Sequence, residues 1–157
     1  MTTLSANLPR AAAAIAVCLL LCQCGKPAPK TGFDVALTVT PAAAEKLKSL
    51  NQTIEVSGYY FGAPIAAAKE KANEAGEINL GEDLINGGAA SGTVKLPGTG
   101  IDPVALQSVD SGKPSVLVSA YLNPTSGLEN VLNCTTFKDT VEAAQKTPVA
   151  ISCDVKS

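Results

Sequence analysis

From Phe33 onward the chain alternates apolar and polar residues over short stretches and breaks each stretch with a cluster of Gly, Pro, Asn or Ser. Phe33-Asp34-Val35-Ala36-Leu37-Thr38-Val39 places its apolar side chains on odd positions, the period of a half-buried strand. Ile54, Val56, Gly58 and Tyr60 line one face of the next such stretch. Further strands are expected at Glu77–Leu80, Thr93–Leu96, Ser115–Leu122, Glu129–Cys134 and Pro148–Val155. Asn86-Gly87-Gly88, Pro97-Gly98-Thr99-Gly100, Ser111-Gly112-Lys113-Pro114 and Asn123-Pro124-Thr125-Ser126-Gly127 separate them, and these are turn-forming residue types. A strand with one apolar face has to bury it against another layer. The pattern therefore commits most of the chain to sheets.

About seven short strands in some 120 residues fit a mainly β fold, an immunoglobulin-like or transthyretin-like β-sandwich. A small barrel has the same strand count. One or two short helices are expected within it. Thr40-Pro41 supplies an N-cap and a first-turn proline for a helix over Ala42 to Leu50. Ala66–Ala75 and Asp139–Lys146 also have helical composition. No repeat and no linker divides 33–157, which reads as a single domain.

Ahead of that domain lies a different kind of sequence. Residues 1–10 carry one basic side chain, Arg10, and no acid, and Ala11 to Leu21 form an unbroken apolar run. The run has the length of a signal-peptide core and is short for a bilayer span. Its end, Leu21-Cys22-Gln23-Cys24, resembles the lipobox of bacterial lipoproteins, matching at the leucine and at the modified cysteine. Gln23 departs from the usual Gly, Ala or Ser before the cut, and cleavage nearby by signal peptidase I is the alternative. The resemblance implies a signal peptide over 1–23, lipidation at Cys24 and a tether over 24–32. Gly25 after the cysteine, where inner-membrane lipoproteins typically carry aspartate, implies an outer-membrane address facing the periplasm. A soluble periplasmic or secreted protein is the other outcome. Gly25-Lys-Pro-Ala-Pro-Lys-Thr-Gly32 reads as a semi-rigid spacer of about 25 Å.

Three of the five cysteines fall in the signal and its lipobox, leaving Cys134 and Cys153. Cys153 shares parity with Val149, Ile151 and Val155, and Cys134 with Leu132 and Leu128. One disulfide is the simplest arrangement for an exported domain. Closing a loop of about 20 residues contributes roughly 3 kcal/mol on the chain-entropy model. A redox-active pair is the alternative, although it ordinarily has C-x-x-C spacing.

Composition removes several function classes. Twelve basic and fourteen acidic residues give no positive surface for nucleic acid. The chain has no histidine and no tryptophan, so Ser-His-Asp and Cys-His nucleophile arrangements are excluded and the commonest metal ligand is absent. No lysine has a serine three residues before it. Gly98-Thr99-Gly100 lacks the third glycine of a dinucleotide loop and reads as a turn. Acid pairs such as Glu77 with Glu82, or Asp102 with Asp110, read as solvated surface.

The remaining feature is Tyr59-Tyr60-Phe61, half of the six aromatics in three consecutive residues. On a strand, Tyr60 faces the core while Tyr59 and Phe61 face away beside Glu55 and Ser57. That pair is a candidate partner-contact patch, unless Lys69 and Lys71 stems or a covering loop bury it. The expectation is a non-catalytic, cofactor-free and metal-free envelope lipoprotein. It would contact the membrane through its anchor and an envelope protein through its sheet. A small-ligand or glycan-binding module is the alternative, and a carboxylate-dependent hydrolase is a third reading.

Overall fold

The computed structural model describes residues 31–123 and 127–156. Eight strands form two four-stranded sheets, a β-sandwich. β1 (Phe33–Val39) leads into α1 (Pro41–Leu50), and β2 (Ile54–Gly62) and β3 (Ile78–Gly88) follow. After β4 (Gly92–Leu96) and α2 (Pro103–Leu106) come β5 (Ser115–Leu122), β6 (Leu132–Cys134) and β7 (Phe137–Thr140). α3 (Val141–Ala144) and β8 (Val149–Val155) complete the chain. One sheet has the order β4-β1-β8-β6 and the other β3-β2-β5-β7. β1 and β8 run parallel; all other neighbours are antiparallel. The first two strands lie in different sheets, which is not the immunoglobulin order, where they are neighbours.

The core is built by parity. Phe33, Val35, Leu37 and Val39 from β1 meet Val116, Val118, Ala120 and Leu122 from β5 across the sandwich, together with Val149, Ile151 and Cys153 from β8. Burying each large side chain contributes about 1.5–3 kcal/mol. α1 seals one end through Ala43 and Leu47, both fully buried. The Thr40 hydroxyl accepts from the Ala43 amide, and Asn51 closes the helix in the left-handed region at φ 51°.

The strand pattern differs from expectation in four places. Glu77–Leu80 is the start of a much longer strand, and Asn86-Gly87-Gly88 belongs to that strand rather than to a turn. Glu129–Cys134 shrinks to Leu132–Cys134. Phe137–Thr140 is an eighth strand, occupying the start of a stretch read as helical, and only Val141–Ala144 turns into helix. Ala66–Ala75 gives a 3-10 helix over Ala66–Lys71. Pairing explains the gain at β7: its backbone completes the edge of β5, with Phe137 opposite Val118. Local composition does not report such a partner.

Cys134 and Cys153 are directly opposed on β6 and β8 and form a disulfide, with Cα atoms 4.1 Å apart. The bridge fastens a strand of three residues to the sheet.

Candidate functional site

The outward face of the β3-β2-β5-β7 sheet carries the aromatic cluster. Pairing sets its rows. Glu55 lies between Asn86 and Tyr121, Ser57 between Leu84 and Ser119, and Tyr59 between Glu82 and Leu117. Tyr59 and Phe61 stack with ring centroids 5.9 Å apart and planes 20° from parallel. As expected, the two rings share the face opposite Tyr60.

Their exposure decides between the two outcomes weighed from the sequence. Phe61 is 6% exposed and Tyr59 half-buried, so burial holds for Phe61, and its place as a candidate contact residue is corrected. Lys138 of β7 lies over the Phe61 ring, where the sequence suggested the Lys69 and Lys71 stems or a covering loop. Its ammonium lies 4.6 Å from the Phe61 ring centre and 3.2 Å from Glu77 Oε1. A cation over an aromatic face is held by the ring quadrupole. What the face leaves open is Leu84, 51% exposed, with the half-buried Tyr59, Leu117 and Tyr121 around it.

Charge on this face is acidic toward Tyr121. Partial burial raises the Tyr121 phenol above its ordinary pKa, and the Glu82 and Glu55 carboxylates add to the rise, while the Ser57 hydroxyl opposes it. Ser57 itself is buried and donates to Glu82 Oε1 at 2.6 Å.

On the inner side of the same sheet sits a cluster that reading by motif missed. Asp83 is 6% exposed. Its carboxylate accepts from the Tyr60 phenol at 2.8 Å, the Gly98 amide at 2.6 Å, the Gly100 amide at 2.8 Å and the Thr99 hydroxyl at 3.3 Å. The Gly98-Thr99-Gly100 turn thus cradles an anion, but the anion is the protein's own. A bulge at Gly81, φ 110°, makes this possible: Tyr60 pairs with Gly81 and Phe61 with Asn79. The bulge switches the inward parity of β3 from Ile78 and Leu80 to Asp83. The parity change around a glycine was the available signal. Burial first, then the Asp83 carboxylate, drives the Tyr60 pKa far upward.

The carboxylate pairs weighed from the sequence serve separate purposes. Glu77 pairs with Lys138, and Glu82 accepts from Ser57. Asp102 caps α2, accepting from the Val104 amide at 2.7 Å, and Asp110 opens a 3-10 turn. Among the described residues no three His, Cys, Asp or Glu side chains are grouped to hold a metal ion. An open depression of about 520 Å³ lies between the end of α1 and the β3–β4 connection, lined by Glu45, Lys48, Gln52 and Ala89 among others. Cys24 lies outside the described residues, and among those described no helix is long and apolar enough to cross a membrane.

No protein-family model matches the chain, and neither a curated protein nor a solved structure matches it.

Proposed function

We propose that this chain is a lipid-anchored protein of the bacterial envelope, tethered through Cys24 to the outer membrane. It presents a rigid, non-catalytic sandwich to the periplasm as a structural or protein-contact module. The observation that carries the reading is Leu21-Cys22-Gln23-Cys24 at the end of an eleven-residue apolar run, Ala11 to Leu21, followed at once by a Pro-rich spacer. Several acyl chains, each methylene contributing about 0.8 kcal/mol, make such an anchor durable. The cross-strand disulfide fits an oxidising compartment. The contact face is the outer side of the β3-β2-β5-β7 sheet, where Leu84 is the open apolar residue beside the half-buried Tyr59 and Tyr121.

The test is mass spectrometry of the mature N-terminus after expression in a Gram-negative host and membrane fractionation. A triacylated peptide beginning at Cys24 in the membrane fraction is the expected result. An unmodified N-terminus in the soluble periplasm would overturn the anchor and leave a free β-domain. For the contact face, Tyr59→Ser with Leu84→Ser should remove crosslinks to envelope proteins while the far-ultraviolet spectrum stays unchanged. Phe61 is left alone because it is part of the packing.

A further inference from the structure

The chain enters the sandwich at one end, and that end differs from the rest of the surface. Thr31 donates to the Gly98 carbonyl at 3.0 Å, and Gln145 donates to the Gly32 carbonyl at 3.3 Å. Strand directions place the β2–β3, β4–β5 and β7–β8 connections at this same end, because Phe33 pairs with Leu96, Gly62 with Ile78 and Ser115 with Thr140. The connections are bonded to one another. The Ile65 amide donates to Ser108, the Asp110 amide to Ala63 and the Val141 amide to Pro114, at 2.9, 2.8 and 3.0 Å. They form one rigid cap around the point of entry.

That cap carries open apolar side chains. Val104 is 71% exposed and Ile65 37%, two of the four exposed large hydrophobics among the described residues. They sit on the two connections joined by the Pro64–Val109 bridge, and Ala63, Ala66, Ala67 and Pro103 around them are exposed too. The other two, Leu84 and Leu128, lie on the sheet face and in the connection after β5, at the opposite end. Charge on the three connections is mixed with a small acidic excess: Lys69, Lys71, Lys113 and Lys146 stand against Glu70, Glu74, Glu77, Asp102, Asp110 and Glu142, and Lys113 is paired with Glu142 at 3.2 Å.

We propose that this cap, led by Val104 and Ile65, rests on the lipid surface to which Cys24 anchors the chain. The inference rests on the anchor reading above. From Cys24 to Thr31 the spacer reaches about 22 Å when extended, so the cap is held within that distance of the acylated cysteine. The strands then carry the opposite end roughly another 23 Å away. A contact between a few apolar side chains and a bilayer is too weak to hold a free domain. A short tether, however, sets an effective concentration near the millimolar range, at which weak second contacts are populated. With no basic excess to attract anionic headgroups, the contact is apolar rather than electrostatic, and added salt does not weaken it. Docked in this way, the β3-β2-β5-β7 face stands upright on the membrane, turned toward neighbouring proteins.

The missing tryptophan makes the test direct, because any introduced indole is the sole reporter. Val104→Trp, Ile65→Trp, Leu84→Trp and Leu128→Trp are made in the full chain, purified from membranes and checked for acylation by mass. They are then reconstituted into phosphatidylcholine vesicles with brominated acyl chains. The expected result is blue-shifted emission, quenched by bromolipid, for Val104→Trp and Ile65→Trp, unchanged by added salt. Leu84→Trp and Leu128→Trp should emit as in water. Two positions guard against one variant failing to fold.

An acylated protein with Val104→Trp and Ile65→Trp unquenched overturns the docking and leaves the anchor intact. Quenching only at Leu84→Trp or Leu128→Trp overturns it as well, by placing another surface on the lipid. A blue shift that depends on protein concentration without quenching assigns the cap to a second copy of the chain. Quenching lost in salt makes the contact electrostatic and overturns the apolar mechanism. An unacylated N-terminus removes the anchor reading and this inference with it.

Discussion

The Tyr60 phenol donates to the Asp83 carboxylate at 2.8 Å, and the two side chains are 0% and 6% exposed. This pair ties the inner face of β2 to β3 and, through the Gly98 and Gly100 amides, to the turn after β4. A buried carboxylate is tolerated when every oxygen has donors. Here the donors come from two separate parts of the chain, β2 and the turn after β4.

Removing the acceptor strands all of them. Asp83→Ala should destabilise the domain by about 3 kcal/mol or more, since each orphaned buried donor costs about 1–3 kcal/mol. Tyr60→Phe removes one donor and should cost less, about 1–2 kcal/mol. Urea unfolding followed by circular dichroism measures both. Asp83→Ala within 1 kcal/mol of the parent stability would show the cluster to be dispensable.

The same pair should set the alkaline limit of the fold. The folded pKa of Tyr60 lies above its unfolded value of about 10, and that of Tyr121 is raised as well. A raised pKa means that stability is intact below about pH 10 and lost as pH climbs toward the folded value, because the unfolded chain gives up its proton first. Unfolding at alkaline pH should coincide with a step in tyrosinate absorbance. In Tyr60→Phe the decline in stability above about pH 10 should flatten. A decline of unchanged slope would assign the alkaline limit to other groups.

Reducing the Cys134–Cys153 bridge should lower stability by roughly 3 kcal/mol, for a closed loop of about 20 residues. Denaturation of the parent with and without reductant, beside Cys134→Ser with Cys153→Ser, gives the number. The reduced parent and the double variant should agree. A reduced parent as stable as the oxidised one would favour a redox role over a structural one.

Gly62 is required by its neighbour. A Cβ there would strike the Val109 side chain, whose backbone bridges Pro64. Gly62→Ala should cost about 1–3 kcal/mol by overpacking. Adding Val109→Ala should recover part of the loss, a coupling that a double-mutant cycle reads directly. Strict additivity of the two substitutions would show that they do not meet.

Thr40 serves two elements at once. Its hydroxyl accepts from the Ala43 amide to cap α1 and donates to Asp154 on β8 at 2.8 Å. That donation, with the Val155 amide, holds the Asp154 carboxyl below its usual range. Thr40→Ala should cost about 1 kcal/mol through the lost cap and return the Asp154 titration toward the ordinary value, read by nuclear magnetic resonance. An unshifted Asp154 titration would leave the pKa to Val155 alone.

The sequence by itself determined the parity of this protein. Phe33–Val39, Ser115–Leu122 and the inward half of Ile54–Tyr60 are legible because a side-chain period of two is a property of one strand and needs no partner. The helix after Thr40-Pro41 is legible for the same reason, since its cap and first turn are local. The pairing of Cys134 with Cys153 followed from counting. What the tertiary structure decided is every relation between strands. β7 exists because β5 offers it an edge, Phe61 lies under Lys138 because that lysine arrives on the same edge, and Asp83 turns inward because Gly81 bulges against β2. Each depends on residues distant in sequence: the parity change at Gly81 is visible locally, but the neighbour that gives it meaning is supplied only by folding.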